Sequence, residues 1–263
     1  MNKAISRLLK EAGSGMKRYT DFISINSDRI LVVADIHGKL LDPYFLETSI
    51  DIAQAWGIKE IVVAGDLFDM SMFSRFGRDT NSPTFRDEIE SVEKIIQAFS
   101  IAFDKIYLLS GNHDARIILK LEGEFSNTML GKLITDNKKV IISNYSSCDI
   151  NSTYKVLHPA SYRQVPGSVA RDMCSRFLRS VIASHGHGTS MSRDRSGKFY
   201  AIDVGGTVDR DKVGYIHHRI TPHPKWTRSF VIIADNKPYI IDEDSDFKFW
   251  REAGKYFNAR GKK

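Results

Sequence analysis

An α/β fold with two sheets layered between helices is what this sequence predicts, and three observations predict it. Short apolar, β-branched runs at residues 29–34, 58–64 and 105–110 each stop at a polar cluster. Such runs mark strands buried on both faces that present ligands at their carboxyl ends. Helical patterns lie between them, giving the strand–helix alternation of β-α-β units. The second half then carries more short β-like segments than helices, which points to a second sheet packed on the first.

At the N-terminus Ile5, Leu8, Leu9 and Ala12 fall at helical spacing among Lys3, Arg7 and Lys10. This predicts a short amphipathic helix that packs on the body of the domain. A secretory signal is not expected here, because the stretch lacks an uninterrupted apolar region and a small-residue cleavage site. Residues 44–56 carry Phe45, Ile50, Ala53 and Trp56 amid polar neighbours, with Gly57 as the C-terminal cap. Residues 85–103 place Ile89, Val92, Ile95, Ile96, Phe99 and Phe103 on one face, with Pro83 just before the start. Later strands are expected at 139–143, 154–158, 181–185, 199–204, 228–234 and 238–241, and a helix at 168–180. We read an amphipathic extension over 1–27, one domain over 28–245, and a basic, aromatic tail over 246–263 that frays at its end.

Composition narrows the function little. Of 263 residues, 42% are hydrophobic and 27% charged, as in an ordinary globular domain. No run of about 18 apolar residues exists, so no transmembrane helix and no membrane partner are expected. Cys148 and Cys174 are too few for a disulfide framework or a cysteine zinc site, which makes a reducing, cytoplasmic compartment the expectation. A net charge of +6 and a pI near 9.2 permit attraction to polyanions.

The strand ends carry the chemistry. Asp35 and His37 follow the first run, Asp66 and Asp69 the second, and Asn112, His113 and Asp114 the third. His158 follows a strand-like Tyr-Lys-Val-Leu, and His185 and His187 follow Val-Ile-Ala-Ser. Carboxylate oxygen with imidazole nitrogen suits Mn, Fe, Zn or Ni. If these segments are extended, residues i and i+2 point the same way, so Asp35/His37 and His185/His187 each aim at one point. Each fragment alone is weak; five in order are specific.

Together the fragments resemble the calcineurin-like metallophosphoesterases, whose pattern is D-x-H, G-D-x-x-D, G-N-H-D/E, an isolated H and G-H-x-H. Here they read Asp35-Ile36-His37, Gly65-Asp66-Leu67-Phe68-Asp69, Gly111-Asn112-His113-Asp114, His158 and Ser184-His185-Gly186-His187. The resemblance implies a two-sheet α/β/β/α sandwich that hydrolyses phosphate esters with a hydroxide activated by two divalent ions. Manganese is the first expectation, with Fe, Zn or Ni as alternatives. One ion would be held by Asp35, His37, Asp66 and His187, the other by Asp66, Asn112, His158 and His185, with Asp66 bridging. His113 would serve the leaving oxygen as general acid, oriented by Asp69, while Asp114 ties down the turn. Two positions depart from the pattern: Ser184 replaces a glycine, and Pro159 follows the isolated histidine where a glycine is usual.

For the substrate, Arg75 and Arg78 sit in an aromatic-rich loop after Asp69, and Arg193 and Arg195 follow His187 closely in sequence. With Arg163, Arg171, Arg176, Arg179 and the basic tail they lean the reading toward a phosphodiesterase acting on DNA or RNA. A phosphomonoesterase acting on protein or nucleotide is the alternative. A non-catalytic metal-binding scaffold for a protein partner is the remaining one, disfavoured by the complete ligand set. His217, His218 and His223 are expected in an exposed loop. The sequence leaves the oligomeric state open.

Overall fold

The computed structural model describes residues 3–15, 20, 22–75, 82–122, 124–214, 216 and 226–260, and these form two six-stranded mixed sheets flanked by helices. In chain order come α1 (Lys3–Ala12), β1 (Ser24–Ile25), β2 (Arg29–Val33), α2 (Pro43–Ala55), β3 (Glu60–Val63), α3 (Phe85–Ala102) and β4 (Lys105–Leu108). Then follow α4 (Ala115–Lys120), α5 (Asn127–Ile134), β5 (Val140–Ile142), β6 (Ser147–Ile150), β7 (Tyr154–Leu157), α6 (Ser168–Phe177) and β8 (Ser180–Ala183). The chain closes with β9 (Ser190–Arg193), β10 (Tyr200–Asp203), β11 (Ser229–Ala234), β12 (Lys237–Asp242) and α7 (Phe247–Arg260).

One sheet has the order β12-β11-β2-β3-β4-β5, the other β1-β6-β7-β8-β10-β9. In the first, β2 through β5 are parallel, so their carboxyl ends lie along one edge. In the second, β7, β8 and β10 are parallel and end at the same kind of edge. Period-two alternation sorts the core. Leu31 and Val33 face α2 and α3, whereas Ile30, Val32 and Ala34 face the other sheet, meeting Val156, Ile182 and Ile202. A smaller cluster of Ala170, Cys174, Val181 and Ala201 seats α6 on the outer face. The layers are therefore helix, sheet, sheet, helix, as the resemblance implies.

Local signals place the helices. Asp42 accepts a hydrogen bond from Phe45 N and Pro43 opens α2, while Thr84 and Asp87 form a capping box at the start of α3. Gly57 takes φ +69° after α2, the left-handed cap expected of it.

Two expectations change. The first helix does not pack on the body: none of its described residues is buried, and Ile5, Leu8 and Leu9 are more than half exposed. Conversely, the stretch read as a basic tail forms α7, which lays Trp250, Ala253 and Phe257 on the main core. Its lysines and arginines masked an apolar stripe that has Trp56 as its partner. Strands β1, β6 and β9 and helices α4 and α5 were not foreseen. The strands run to only 2–4 residues and the helices to 6 and 8, too short for a period to show.

Candidate metal centre

The carboxyl edges of the two sheets meet, and the motif residues gather there. Backbone bonds lace the segments together: Asp35 N donates to Gly65 O, and Ile36 N and His37 N both donate to Asp66 O. Asp114, buried, accepts from Asp66 N, Phe68 N and Gly111 N, so it ties down the turn. The glycines are demanded by closeness. A side chain on Gly65 would strike the His158 ring at 2.6 Å, and one on Gly111 would overlap the Asp66 carboxylate.

Asp35 and His37 share one group as expected, whereas His185 and His187 go to different groups, and neither outcome comes from strand alternation. Asp35, His37, Asp66, His185 and His187 all lie past strand ends with φ between +49° and +75°, the left-handed region. Such geometry costs a non-glycine residue about 1–3 kcal/mol and persists where its surroundings hold it. The chain coils back at each strand end, and those turns aim the side chains inward.

Among the described residues three overlapping groups of ligand atoms result, Asp35/His37/His187, His37/Asp66/His113 and Asp66/His158/His185, each with its atoms within 4.8 Å of one another. Asp35 Oδ1, His37 Nε2 and Asp66 Oδ2 are buried without a hydrogen-bond partner. His158 Nε2 stands 2.8 Å from Asn112 Oδ1 and 3.3 Å from Asp66 Oδ2. Lone pairs of buried atoms pointed at one another are costly unless something positive sits among them. The donor set therefore fits divalent metal. The opposite ring nitrogens are occupied as metal-binding imidazoles require: His37 Nδ1 lies 3.1 Å from Asp69 Oδ1, and His158 Nδ1 lies 3.1 Å from Ala64 O and 2.9 Å from Ser184 Oγ. Ser184, the departure from the motif, also donates to Ala64 O at 2.6 Å.

The electrostatics have the same origin. Burial raises Asp35 to about 6 against the pull of His158. Burial also opposes charge on Asp66, but His158, His113 and His37 outweigh it and hold this carboxyl far below the usual range. Burial likewise disfavours a charged His158, yet Asp66 and Asp35 push it up to about 9. His185 falls to about 4 through burial and the neighbouring His158.

His113 shares the middle group with His37 and Asp66, but its Nδ1 is turned to Asp69. Its Nδ1 is 2.9 Å from Asp69 O and 3.0 Å from Asp69 Oδ1, so the expected partner is in place. Behind Asp69, the buried Glu88 accepts from Asp69 N and Met70 N, and burial raises its carboxyl to about 7. Arg116 reaches both: Nη1 donates to Asp69 O at 2.7 Å and Nη2 to His113 Nε2 at 2.9 Å. Glu88 and Arg116 were missed from sequence because neither belongs to a motif. Trp226 stacks on His187 at 4.1 Å, and the exposed Tyr162 stands edge-on to His185 at 6.4 Å.

The substrate arginines fare differently. Arg75 is exposed after a single 3-10 turn that follows Met70. Arg78, with His217, His218 and His223, lies outside the described residues. Strand β9 runs antiparallel to β10, pairing Arg193 with Tyr200 at the end of the sheet opposite the ligands. The Arg193 guanidinium covers the Tyr200 ring at 3.6 Å, and Arg195 follows on the same far side, so proximity in sequence misled. Arg163 and Arg179 pair with Asp172 and Asp149, and Arg171 reaches Ser192.

No curated protein sequence matches the chain. Among solved structures it is similar to Vacuolar Protein Sorting 29 from Cryptosporidium parvum, at 15% identity over 82% of this chain and 96% of that one, TM-score 0.42. It is also similar to Vps29 complexed with zinc from Entamoeba histolytica (13%, 81% and 98%, TM-score 0.41) and to Yfce, a phosphoesterase from E. coli (12%, 81% and 96%, TM-score 0.40). The model of calcineurin-like phosphoesterases matches residues 28–258, a span that includes every motif residue named above. With that match this chain belongs to the calcineurin-like phosphoesterase family, the metal-dependent hydrolases of phosphate esters.

Proposed function

We propose that the protein hydrolyses phosphodiesters at a two-metal centre. One ion would be held by Asp35, His37, Asp66 and His187, the other by Asp66, Asn112, His158 and His185, with manganese the first candidate. The observation that carries the reading is the convergence of Asp35 Oδ1, His37 Nε2 and Asp66 Oδ2, three buried, unpartnered atoms, on one space. Bound divalent ions would supply Lewis-acid polarisation of the phosphoryl oxygens and a nucleophilic water. The chain's own residues do the rest. Asp69 fixes the His113 ring through Nδ1, so that the protonated ring would give the proton on Nε2 to the leaving oxygen once Arg116 has let go of that nitrogen. Asp114 and Glu88 hold the turns that set Asp66 and Asp69, through backbone amides.

Preference for a diester is supported by the aromatic rim. Tyr162 and Trp226 flank His185 and His187 and offer flat surfaces to the second ester substituent, which a monoester lacks. Nucleic acid remains one diester of this kind, although Arg193 and Arg195 lie on the far side. The free, buried Cys148 and Cys174 support a reducing, cytoplasmic setting. Among the described residues no helix is long and apolar enough to cross a membrane.

The test is hydrolysis of bis-p-nitrophenyl phosphate and p-nitrophenyl phosphate by the manganese-loaded protein and by His113→Ala. We expect faster diester turnover and a loss of about 10²–10⁴-fold in kcat for the variant. Faster monoester turnover would overturn the diester preference. A metal-loaded protein inert toward both would favour the scaffold, and full activity in His113→Ala would remove the assigned acid.

A further inference from the structure

Arg116 stands where the reaction needs open space. An arginine has donors only, so in the pair Nη2–Nε2 the ring nitrogen of His113 must accept. The His113 proton is then on Nδ1, directed at Asp69. In that tautomer Nε2 has nothing to give a leaving oxygen. For His113 to act as proposed, Nη2 must let go of it. Nη1 is tethered to the Asp69 carbonyl at 2.7 Å, so the guanidinium can turn without leaving the site. Turned away from the ring, Nη2 is an unspent donor facing the space beside the ligand cluster, and an anionic oxygen satisfies it.

We propose that Arg116 is a substrate-contacting residue, a phosphate clamp whose Nη2 passes from His113 Nε2 to a non-bridging oxygen of the bound phosphoester. The proposal rests on the hydrolytic reading of the site and names the residue that fixes the phosphoryl group on the His113 side. A guanidinium suits this because its planar fork meets phosphate oxygens directly, whereas a lysine brings only a point charge.

The experiment measures inorganic phosphate binding to the manganese-loaded protein by calorimetry, alongside kcat and KM for bis-p-nitrophenyl phosphate. Wild type, Arg116→Lys and Arg116→Gln are compared, each with its melting temperature and bound metal. Losing one charge-assisted hydrogen bond weakens phosphate about ten-fold or more in Arg116→Gln. We expect that weakening with metal content unchanged, KM rising with it, and Arg116→Lys falling between. Phosphate affinity equal to wild type in both variants would overturn the clamp, and a lower melting temperature with that equality would leave Arg116 as a brace for the Asp69 turn. A wild-type protein that binds phosphate but hydrolyses nothing would sink the hydrolytic reading while leaving the clamp measurable. Wild-type protein that binds metal but no phosphate would overturn the clamp itself.

Discussion

Ser184 shows how much one hydroxyl can do at a strand end. It sits where the family pattern has glycine, and its Oγ bonds Ala64 O and touches His158 Nδ1 at 2.9 Å. The oxygen helps fix the ring so that Nε2 faces Asp66. Partners of this kind are worth about 10–100-fold in metal affinity. Ser184→Ala should therefore weaken manganese binding about ten-fold in a competition titration against a chelating dye. Unchanged affinity would mean that the Ala64 carbonyl alone holds His158. Glu88 makes a second residue-scale prediction. Its carboxyl rises from 4.5 to about 7 on folding, burial being the main cause. A raised folded value means its contribution is whole below pH 4.5 and lost as pH climbs through about 7. Glu88→Gln keeps an acceptor for Asp69 N and Met70 N but does not ionise. Its melting temperature should be flatter than wild type over that window, and parallel curves would exclude Glu88 as the titrating group.

The C-terminal helix α7 is structural although its composition looks like a solvated tail. It closes over Trp56, which is fully buried, stacks on Phe257 at 4.8 Å and donates from Nε1 to Trp250 O. Arg29, opening β2, donates to Trp56 O and Phe257 O, so α7 is tied to the same strand that ends in Asp35. Trp56→Ala should cost about 3–5 kcal/mol in denaturant unfolding, the usual loss for a large buried aromatic. A loss under about 0.5 kcal/mol, the scale of a surface change, would mean that α7 only rests on the domain. The short strand β9 has the opposite lesson. Its direction carries Arg193 away from the ligands that immediately precede it in the chain.

Across the whole molecule, metal and proton compete for one space. Without a cation, His158 is held at about 9 instead of 6.5, against burial, by Asp66 and Asp35. The stability this adds is fully present below pH 6.5 and disappears as pH rises through about 9. A divalent ion takes the proton's place, and ligation requires neutral imidazole. The melting temperature of metal-free protein should fall across this window, and the increment from added manganese should grow with pH. At a hundred-fold excess over Kd that increment is about 2.7 kcal/mol. Scanning fluorimetry from pH 6.5 to 9 with and without manganese checks it. A metal increment indifferent to pH would mean that no bound proton is displaced. Repeating the scan in Glu88→Gln separates this window from the lower one.

The motif residues, the main parallel strands and the two long helices of the first half were legible because short-range chemistry defines them. An apolar run ending in Asp-x-His or Gly-Asp needs no distant partner to be recognised, and Pro43, Gly57 and Thr84 act on their own neighbours. Only tertiary structure decided the remainder. Left-handed turns, not an extended chain, converge Asp35 with His37 and send His185 and His187 to separate groups, because amides and carboxylates from other strands hold the chain there. Arg116 and Glu88 join the site through space, from helices whose sequences carry no catalytic signature. Arg193 left it because strand direction is a property of the sheet. Burial, which raises Asp35 and Glu88, and the carboxylates that raise His158 against it, come together only once both sheets have closed on the same edge.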